Sequence, residues 1–331
     1  MSGVTRPITI AGGGLAGLSL GIGLLRRGVA VTLHEAGTYP RHRVCGEFIS
    51  GVGESTLEKL GIADQFDDSV SLSTSRWFDA AGPIGSVPVF GRGISRWTLD
   101  QRLKTEFVDA GGDLKTGSRI CPGEAVVWAA GRVRTDGKWI GVKCHVPGLP
   151  LAADLEMHVG SNGYAGLAKV EHGIVNVCGL FRKQKGTGGK DILFQCLRAG
   201  GLHALADKIS HANPDPSSFC AVAGFETGRQ AGPHFSIGDA ANMIPPFTGN
   251  GMTMAFESAE LALDRLLEYS FGKMTWQEAG ALVARAQNKR FARRMRVSGW
   301  IHPLLTTRPA LVASLARRHF IPFNFLLRLL R

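Results

Sequence analysis

Gly12, Gly14 and Gly17 spell G-x-G-x-x-G, and an acidic residue, Glu35, stands about twenty residues further on. Residue types at that spacing can hold a dinucleotide. Gly12 permits a tight turn, Gly14 lets the backbone approach a pyrophosphate, and Gly17 allows a helix to lie close on a sheet. Leu15 and Ala16 open that helix, so its N-terminal amides face the phosphates. Glu35 can accept hydrogen bonds from an adenosine ribose. With 44 glycines in 331 residues the bare spacing arises readily by chance, so context has to carry the assignment. The motif does not separate NAD from FAD.

That context is a βαβ unit. Residues 7–11 read as a short buried strand, Leu15 to Arg27 as a helix, and Val29 to His34 as a second strand ending at Glu35. Gly28 falls where a C-cap glycine belongs, just after Arg26 and Arg27, which suit the negative end of the helix dipole. Thr98 to Gly111 reads as another helix. Ala125 to Ala130, Trp139 to Val146, Tyr164 to Val170 and Ile174 to Phe181 read as strands, and Gly186 to Lys190 as a flexible turn. A further strand ending at Ser236 or Ile237 runs into Gly238-Asp239-Ala240-Ala241, and Gly251 to Tyr269 follow as a long helix with an apolar face.

The stretch from Gly238 to Met252, G-D-A-A-N-M-I-P-P-F-T-G-N-G-M, resembles the late motif of the para-hydroxybenzoate hydroxylase-like FAD family. The resemblance implies FAD as cofactor, with Asp239 on a ribityl hydroxyl. It also implies that Gly249, Asn250, Gly251 and Met252 bring backbone amides at a helix start to the flavin pyrimidine edge, flanked by Gly238 and Pro246. A helix N-terminus there can stabilise the anion that develops on a reduced flavin. Arg41 to Ser50 resembles the segment after the second strand in the geranylgeranyl reductase and flavin-dependent halogenase branch, and its Cys45-Gly46-Glu47 is closer to the reductases. Arg43 then falls beside the cofactor. Ile94 to Asp100 resembles the R-x-x-[LF]-D helix start of the family, where Arg96 would approach the cofactor.

The implied fold is α/β: a Rossmann-type FAD-binding domain with an interwoven β-sheet substrate domain and a C-terminal helical region. The FAD domain is discontinuous, over 1–70, 94–138 and 221–270; the substrate domain takes 71–93 and 139–220, and 271–331 form the basic helical region. Some positions depart from the family. Only Ile120 to Glu124 stand where β-structure usually precedes the strand at Ala125, and Ala130-Gly131-Arg132 replaces the usual acidic-glycine motif, leaving Gly131 at the cofactor. Tyr164-Ala-Gly-Leu-Ala-Lys169 occupies the place of the tryptophan motifs of reductases and halogenases, with Gly166 and Ala168 at the bulky positions.

Flavin supplies the redox chemistry, and the protein positions substrate and excludes water. Strands near Trp139 to His145 and Tyr164 to Val170 would roof the flavin, making Lys143, His145 and Tyr164 candidate pocket residues. Cys45 is a candidate proton donor, with a buried structural thiol as its plain alternative. The first reading is hydride transfer to a C=C bond of a hydrophobic substrate of isoprenoid, polyketide or quinone/phenol type, as in geranylgeranyl reductase-like enzymes. A flavin monooxygenase hydroxylating an aromatic ring is the alternative, and a non-catalytic FAD-binding scaffold a third. No second G-x-G-x-x-G is present for NAD(P)H, so the reductant docks transiently or electrons come from an external reductase.

Hydrophobic residues at 44% and charged residues at 20% exclude a disordered or fibrous chain. Six cysteines without metal-site spacing predict a reducing, cytoplasmic setting and no metal. The uncharged run from Ile8 to Leu25 is too glycine-rich to read as a spanning helix or secretory signal. The formal charge of +11 is one-sided: residues 281–331 carry eleven Lys and Arg and no acid, and the remainder holds 27 basic against 27 acidic residues. Arg285, Lys289 and Arg293 share a helical face, with Arg290 and Arg294 beside them. Beyond them Trp300, Ile301, Leu304, Leu305, Leu311, Leu315, Phe320, Phe323, Phe325, Leu326 and Leu327 alternate with Arg308, Arg317, Arg318 and Arg328. Such a segment covers the FAD domain with its arginines reaching solvent, or lies on the inner face of an anionic membrane, or grips an acidic carrier protein. Nucleic acid is excluded for want of any accompanying motif.

Overall fold

The structure, a computed structural model, describes residues 5–132, 135–184, 188–189, 191–224, 226–230, 232 and 234–318. In chain order the elements are β1 (Ile8–Ala11), α1 (Leu15–Leu25), β2 (Val31–Glu35), β3 (Phe48–Ser50), α2 (Glu54–Leu60), β4 (Val70–Asp79), β5 (Gly82–Gly93), α3 (Arg96–Asp109), β6 (Asp113–Thr116) and β7 (Val126–Trp128). There follow β8 (Trp139–Pro147), β9 (Leu155–Gly160), β10 (Gly163–Lys169), β11 (Ile174–Arg182), α4 (Ile192–Ala199), α5 (His203–His211), β12 (Cys220–Ala223), β13 (Gly228–Arg229), β14 (Asn242–Met243), α6 (Gly251–Ser270), α7 (Trp276–Thr307) and α8 (Pro309–Arg317).

Strands β1, β2, β6 and β7 make a parallel sheet in the order β6-β2-β1-β7. Ser236 adds a parallel bridge to Trp128 at its edge. Such a sheet is covered on both faces, so β1 and α1 are apolar almost throughout. Glycine inside α1 costs about 1 kcal/mol per residue against alanine, and close packing is what it permits here. A Cβ at Gly21 would lie 2.6 Å from the Phe107 ring of α3, and one at Gly23 would lie 3.2 Å from Leu263 of α6.

The second sheet has eight strands in the order β12-β8-β11-β10-β9-β4-β5-β3. It is antiparallel except for the β4–β9 pair. Its central strands alternate between two environments. Ile140, Val142, Cys144 and Val146 of β8, with Val175, Val177 and Phe181 of β11, pack against Leu193 and Leu197 of α4 and Leu205 and Ile209 of α5. Of the opposite positions, Lys143 and His145 of β8 and Asn176 of β11 meet the Cys45–Glu47 segment, and Trp139 and Leu180 cluster with Met243 and Phe247.

Two strands cross the boundaries expected from sequence. Phe48–Ser50, placed in the first FAD segment, pairs with Gly91–Gly93 of the large sheet, and β12 runs on to Ala223 along β8. Both pairings join distant segments, which no local pattern signals. The Gly186 to Lys190 turn lies largely outside the described residues, as do Phe320, Phe323, Phe325, Leu326, Leu327 and Arg328.

Candidate cofactor and active site

The two glycine-bearing bends meet. Trp128 N donates to Phe235 O at 2.7 Å and Ile237 N to Trp128 O at 3.0 Å, which carries Gly238 to the sheet edge above α1. A Cβ at Gly238 would lie 3.1 Å from the Cβ of Ala16. Gly12, at φ +113°, sits under the Ala129 carbonyl where any side chain would collide, and a Cβ at Gly17 would strike the Gly12 carbonyl. Gly14 is different: a Cβ there would meet nothing nearer than an Arg96 Nη2 at 4.0 Å. At Gly46, Gly131 and Gly251 it would meet nothing within 4 Å.

A charged platform flanks the first bend. Asp100, fully buried, takes Arg96 Nε at 2.6 Å, Arg96 Nη2 at 2.8 Å and Arg43 Nε at 2.8 Å. Arg43 also reaches the Gly13 carbonyl, at 3.4 Å. Two guanidiniums on one carboxylate leave a net positive charge beside the glycine loop, suited to a pyrophosphate. Glu35 Oε2 accepts from Gly13 N at 2.8 Å, and its Oε1 from Gly37 N at 2.9 Å and Arg41 Nη2 at 2.7 Å. Burial would raise its pKa, but Arg43, the backbone amides and Arg41 hold it below the usual carboxylate range.

At the second bend, Gly249 adopts φ +66° against the Phe48 ring. Asn250 caps α6 buried, its amide donating to Thr248 O at 3.0 Å and its oxygen accepting from Ser50 Oγ at 3.3 Å. Met252 is buried, Pro246 exposed and Gly251 open. Asp239 has no hydrogen-bond partner among the described residues; burial pushes its carboxyl pKa up against the pull of Arg132 and Arg96. A free acceptor in the field of Arg96, which also reaches the open backbone of Gly14, fits the ribityl chain and pyrophosphate of FAD.

The three strand residues expected to line a pocket are instead held by protein. Tyr164 is buried, its hydroxyl accepting from Phe247 N at 3.1 Å, and so ties β10 to the second bend. Lys143 and His145 grip Glu47: Nζ lies 2.6 Å from Oε1 and Nε2 lies 2.6 Å from Oε2. Glu47 and Lys143 are fully buried. Glu47 takes φ +52°, uncommon for a non-glycine residue, and is pinned by Arg96 N at the start of α3 to Oε1 at 2.9 Å and by Ile94 N, just before α3, to its carbonyl at 3.2 Å. Burial alone would raise its pKa; Lys143 and His145 outweigh that and hold it down.

Cys45 stands at the head of this bend, its carbonyl accepting from Asn176 Nδ2 at 3.0 Å. Burial pushes its thiol pKa up, which keeps the proton on sulfur. Sequence reasoning missed Glu47 as a site residue. The available signal was an acid next to Cys45-Gly46, matched by a lysine and a histidine two residues apart, and so on one face, of a strand.

Helix α7 has two faces. Val283 and Phe291 are buried, and Arg294 grips Glu257 of α6, with Nη2 at 3.0 Å from Oε1. His302 is buried against Trp139, Tyr164 and Phe247, and its pKa is lowered to about 4 by burial and by Lys138 and Arg182. On the outer face Trp300 is 70% and Leu304 51% exposed. The covering and exposed readings of the tail therefore describe opposite faces of one helix. Among the described residues no helix is long and apolar enough to cross a membrane, and no group of His, Cys, Asp and Glu could hold a metal ion.

No protein-family description matches the sequence. Among curated proteins, menaquinone reductase of Mycolicibacterium smegmatis is 24% identical over 119 residues, 34% of this chain and 29% of that protein. Menaquinone reductase of Mycobacterium tuberculosis is 25% identical over 118 residues, again 29% of its length. The chain thus matches less than a third of these relatives. Solved structures match almost throughout. The flavin-dependent brominase Bmp2 superposes with a TM-score of 0.76 at 15% identity, over 98% of this chain and 92% of that one. PqsL of Pseudomonas aeruginosa, in complex with 2-aminobenzoylacetate, gives 0.71 at 14% identity over 93% and 98%. 2-Methyl-3-hydroxypyridine-5-carboxylic acid oxygenase gives 0.71 at 17% identity over 96% and 97%.

The chain has the para-hydroxybenzoate hydroxylase fold. In that fold the parallel sheet carries both glycine bends, and one face of the eight-stranded sheet meets the Cys45–Glu47 segment through Lys143, His145 and Asn176 and the second bend through Tyr164.

Proposed function

We propose that this chain is an FAD-dependent monooxygenase that hydroxylates an electron-rich, hydrophobic aromatic substrate. The observation that carries the reading is the meeting of Gly12–Gly17 with Gly238–Met252, at Ala16 and Gly238, in a fold whose neighbours at nearly full length include oxygenases. Gly12, Gly14, Leu15, Ala16 and Gly17 hold the pyrophosphate, with Arg43 and Arg96 supplying positive charge; Glu35 takes the ribose and Asp239 the ribityl chain. Gly249 to Met252 offer amides to the pyrimidine edge, and Gly131, Gly238 and Pro246 line the cofactor. FAD, when bound, supplies electron transfer and oxygen activation.

The chain's own residues position and shield. Tyr164 fixes Phe247, while Lys143 and His145 hold Glu47 and with it the exposed Gly46 beside it. Reducing equivalents come from NAD(P)H docking transiently or from a separate reductase.

Hydride transfer to a C=C bond, the first reading from sequence, becomes the second. It retains support from the local likeness to menaquinone reductases and from the protonated thiol of Cys45. NADPH consumption with substrate separates the two. If it requires oxygen and the product gains one oxygen atom, the monooxygenase reading stands; if it proceeds anaerobically and the product gains two hydrogens, the reductase reading replaces it. A yellow protein that turns over nothing returns the scaffold. The exposed Trp300 and Leu304 beside the basic stripe support peripheral docking on anionic lipid, tested by flotation with anionic and neutral vesicles at low salt.

A further inference from the structure

Three basic side chains converge on one indole. Arg182 Cζ lies 5.6 Å and Lys138 Nζ 6.0 Å from the centre of the Trp139 ring, and the His302 ring of α7 stands 5.1 Å away. Arg182 sits opposite Trp139 in the β8–β11 ladder, half-buried, and Lys138 just precedes β8, exposed. Neither has an acidic partner among the described residues. Cation–π contact draws each to the ring but neutralises neither.

Two polar atoms in this cluster are also unpaired. His302 is buried, and its Nε2 has no hydrogen-bond partner among the described residues; the same holds for the buried Nε of Arg182. A buried polar atom left unpaired costs stability. Two of them beside one ring, in a field of positive sign, describe a place for a ligand that brings oxygen acceptors and negative charge.

We propose that Lys138, Arg182 and His302 bind a carboxylate or phosphate group carried by an aromatic ligand, where α7 meets the end of the eight-stranded sheet. Arg182 and Lys138 supply the charge. His302, a neutral imidazole, donates through one ring nitrogen. The site adjoins the second bend: the His302 ring lies 9° from parallel with Phe247 at 6.1 Å, and Phe247 N is bound to Tyr164. What the ligand is rests on the FAD reading, which offers two sources for the anion. One is a carboxylate on the aromatic substrate, which would make that substrate amphiphilic. The other is the phosphate of the nicotinamide nucleotide that brings electrons.

Burial, then Lys138 and Arg182, hold the His302 pKa at about 4, and these two cations are the charged groups that bear on it. A bound anion supplies the opposite field and raises it. The test therefore follows the His302 ring by NMR in the FAD-loaded chain as benzoate, benzamide or inorganic phosphate is added, above about pH 5, where a carboxylate is ionised. Benzoate should raise the His302 value and bind at least about tenfold more tightly than benzamide, which has its shape without its charge. Arg182→Gln should erase most of that preference, and so should Lys138→Met, whose exposed position serves if the first variant does not fold. A response to phosphate and not to benzoate keeps the anion site and assigns it to the nucleotide. No movement of His302 with either anion, or a preference for benzoate that survives both substitutions, overturns the proposal. Repeating the titration in the cofactor-free chain keeps the two readings apart. If FAD fails to bind, the monooxygenase reading falls and His302 still reports on the anion; if FAD binds and His302 does not respond, the anion site alone falls.

Discussion

Two buried carboxylates, Asp100 and Glu47, each hold two bases, and the bases differ in kind. Asp100 holds Arg43 and Arg96, whose guanidiniums stay charged at any pH a folded protein meets. Glu47 holds Lys143 and His145, both able to lose a proton. The first cluster is a fixed field beside the glycine loop. The second joins a loop to the eight-stranded sheet through groups that, unlike guanidinium, carry a removable proton. The same geometry therefore fixes charge in one place and leaves it exchangeable in the other, and base chemistry decides which.

Removing the carboxylates should separate them. Asp100→Ala leaves two guanidiniums facing each other in burial and is expected to cost about 3–5 kcal/mol, at neutral and alkaline pH alike. FAD affinity should fall with it, as read by thermal denaturation and flavin titration. Glu47→Gln should cost less, about 1–3 kcal/mol, and the cost should shrink as pH rises, because an unpaired buried lysine can shed its proton. Equal alkaline profiles for the two variants would erase the distinction.

The acid limb carries a sign of its own. Glu47 is held below its ordinary value of 4.5, so its contribution to stability is complete above that value and is lost as pH falls through the lower folded value. Glu47→Gln should flatten that limb in a pH series of denaturation midpoints.

Tyr164 offers an uncharged contrast. Its hydroxyl satisfies one backbone amide, Phe247 N, so Tyr164→Phe should cost about 1–2 kcal/mol with no pH dependence between neutral and mildly acid conditions. The measurable second effect is weaker flavin binding, since Phe247 lies within the second bend. A pH-dependent loss would show that charge reaches this contact too.

The asymmetry between the clusters follows how each was legible in sequence. Gly12, Gly14, Gly17, Glu35, Arg43 and Arg96 lie in short motifs whose spacing reports a turn, a helix start or a strand end. Asp100 follows Arg96 by one helical turn, and that pairing can be read directly. The Glu47 cluster joins a loop to a strand 96 residues away, and its only local mark was an i, i+2 pair of basic residues on a strand that is otherwise apolar. Tyr164 stood out in sequence as a pocket candidate, but its bond to the second bend did not, because its partner is a backbone amide 83 residues distant. The strand boundaries at Phe48 and Ala223 failed for the same reason: pairing partners, not local propensity, set them.

The smallest stability effect is expected from Gly251→Ala, which separates cofactor space from fold. Gly251 opens α6, and a Cβ there meets nothing within 4 Å. Alanine at a helix start is favoured over glycine by about 0.5–1 kcal/mol, so the cofactor-free protein should become slightly more stable. If the Gly249–Met252 amides do approach the flavin ring, the added methyl occupies the approach and FAD affinity should fall while the melting temperature of the cofactor-free chain rises. A variant that gains stability and keeps full flavin affinity would show that the second bend only builds the helix, leaving Asp100 and its arginines to hold the cofactor from one side.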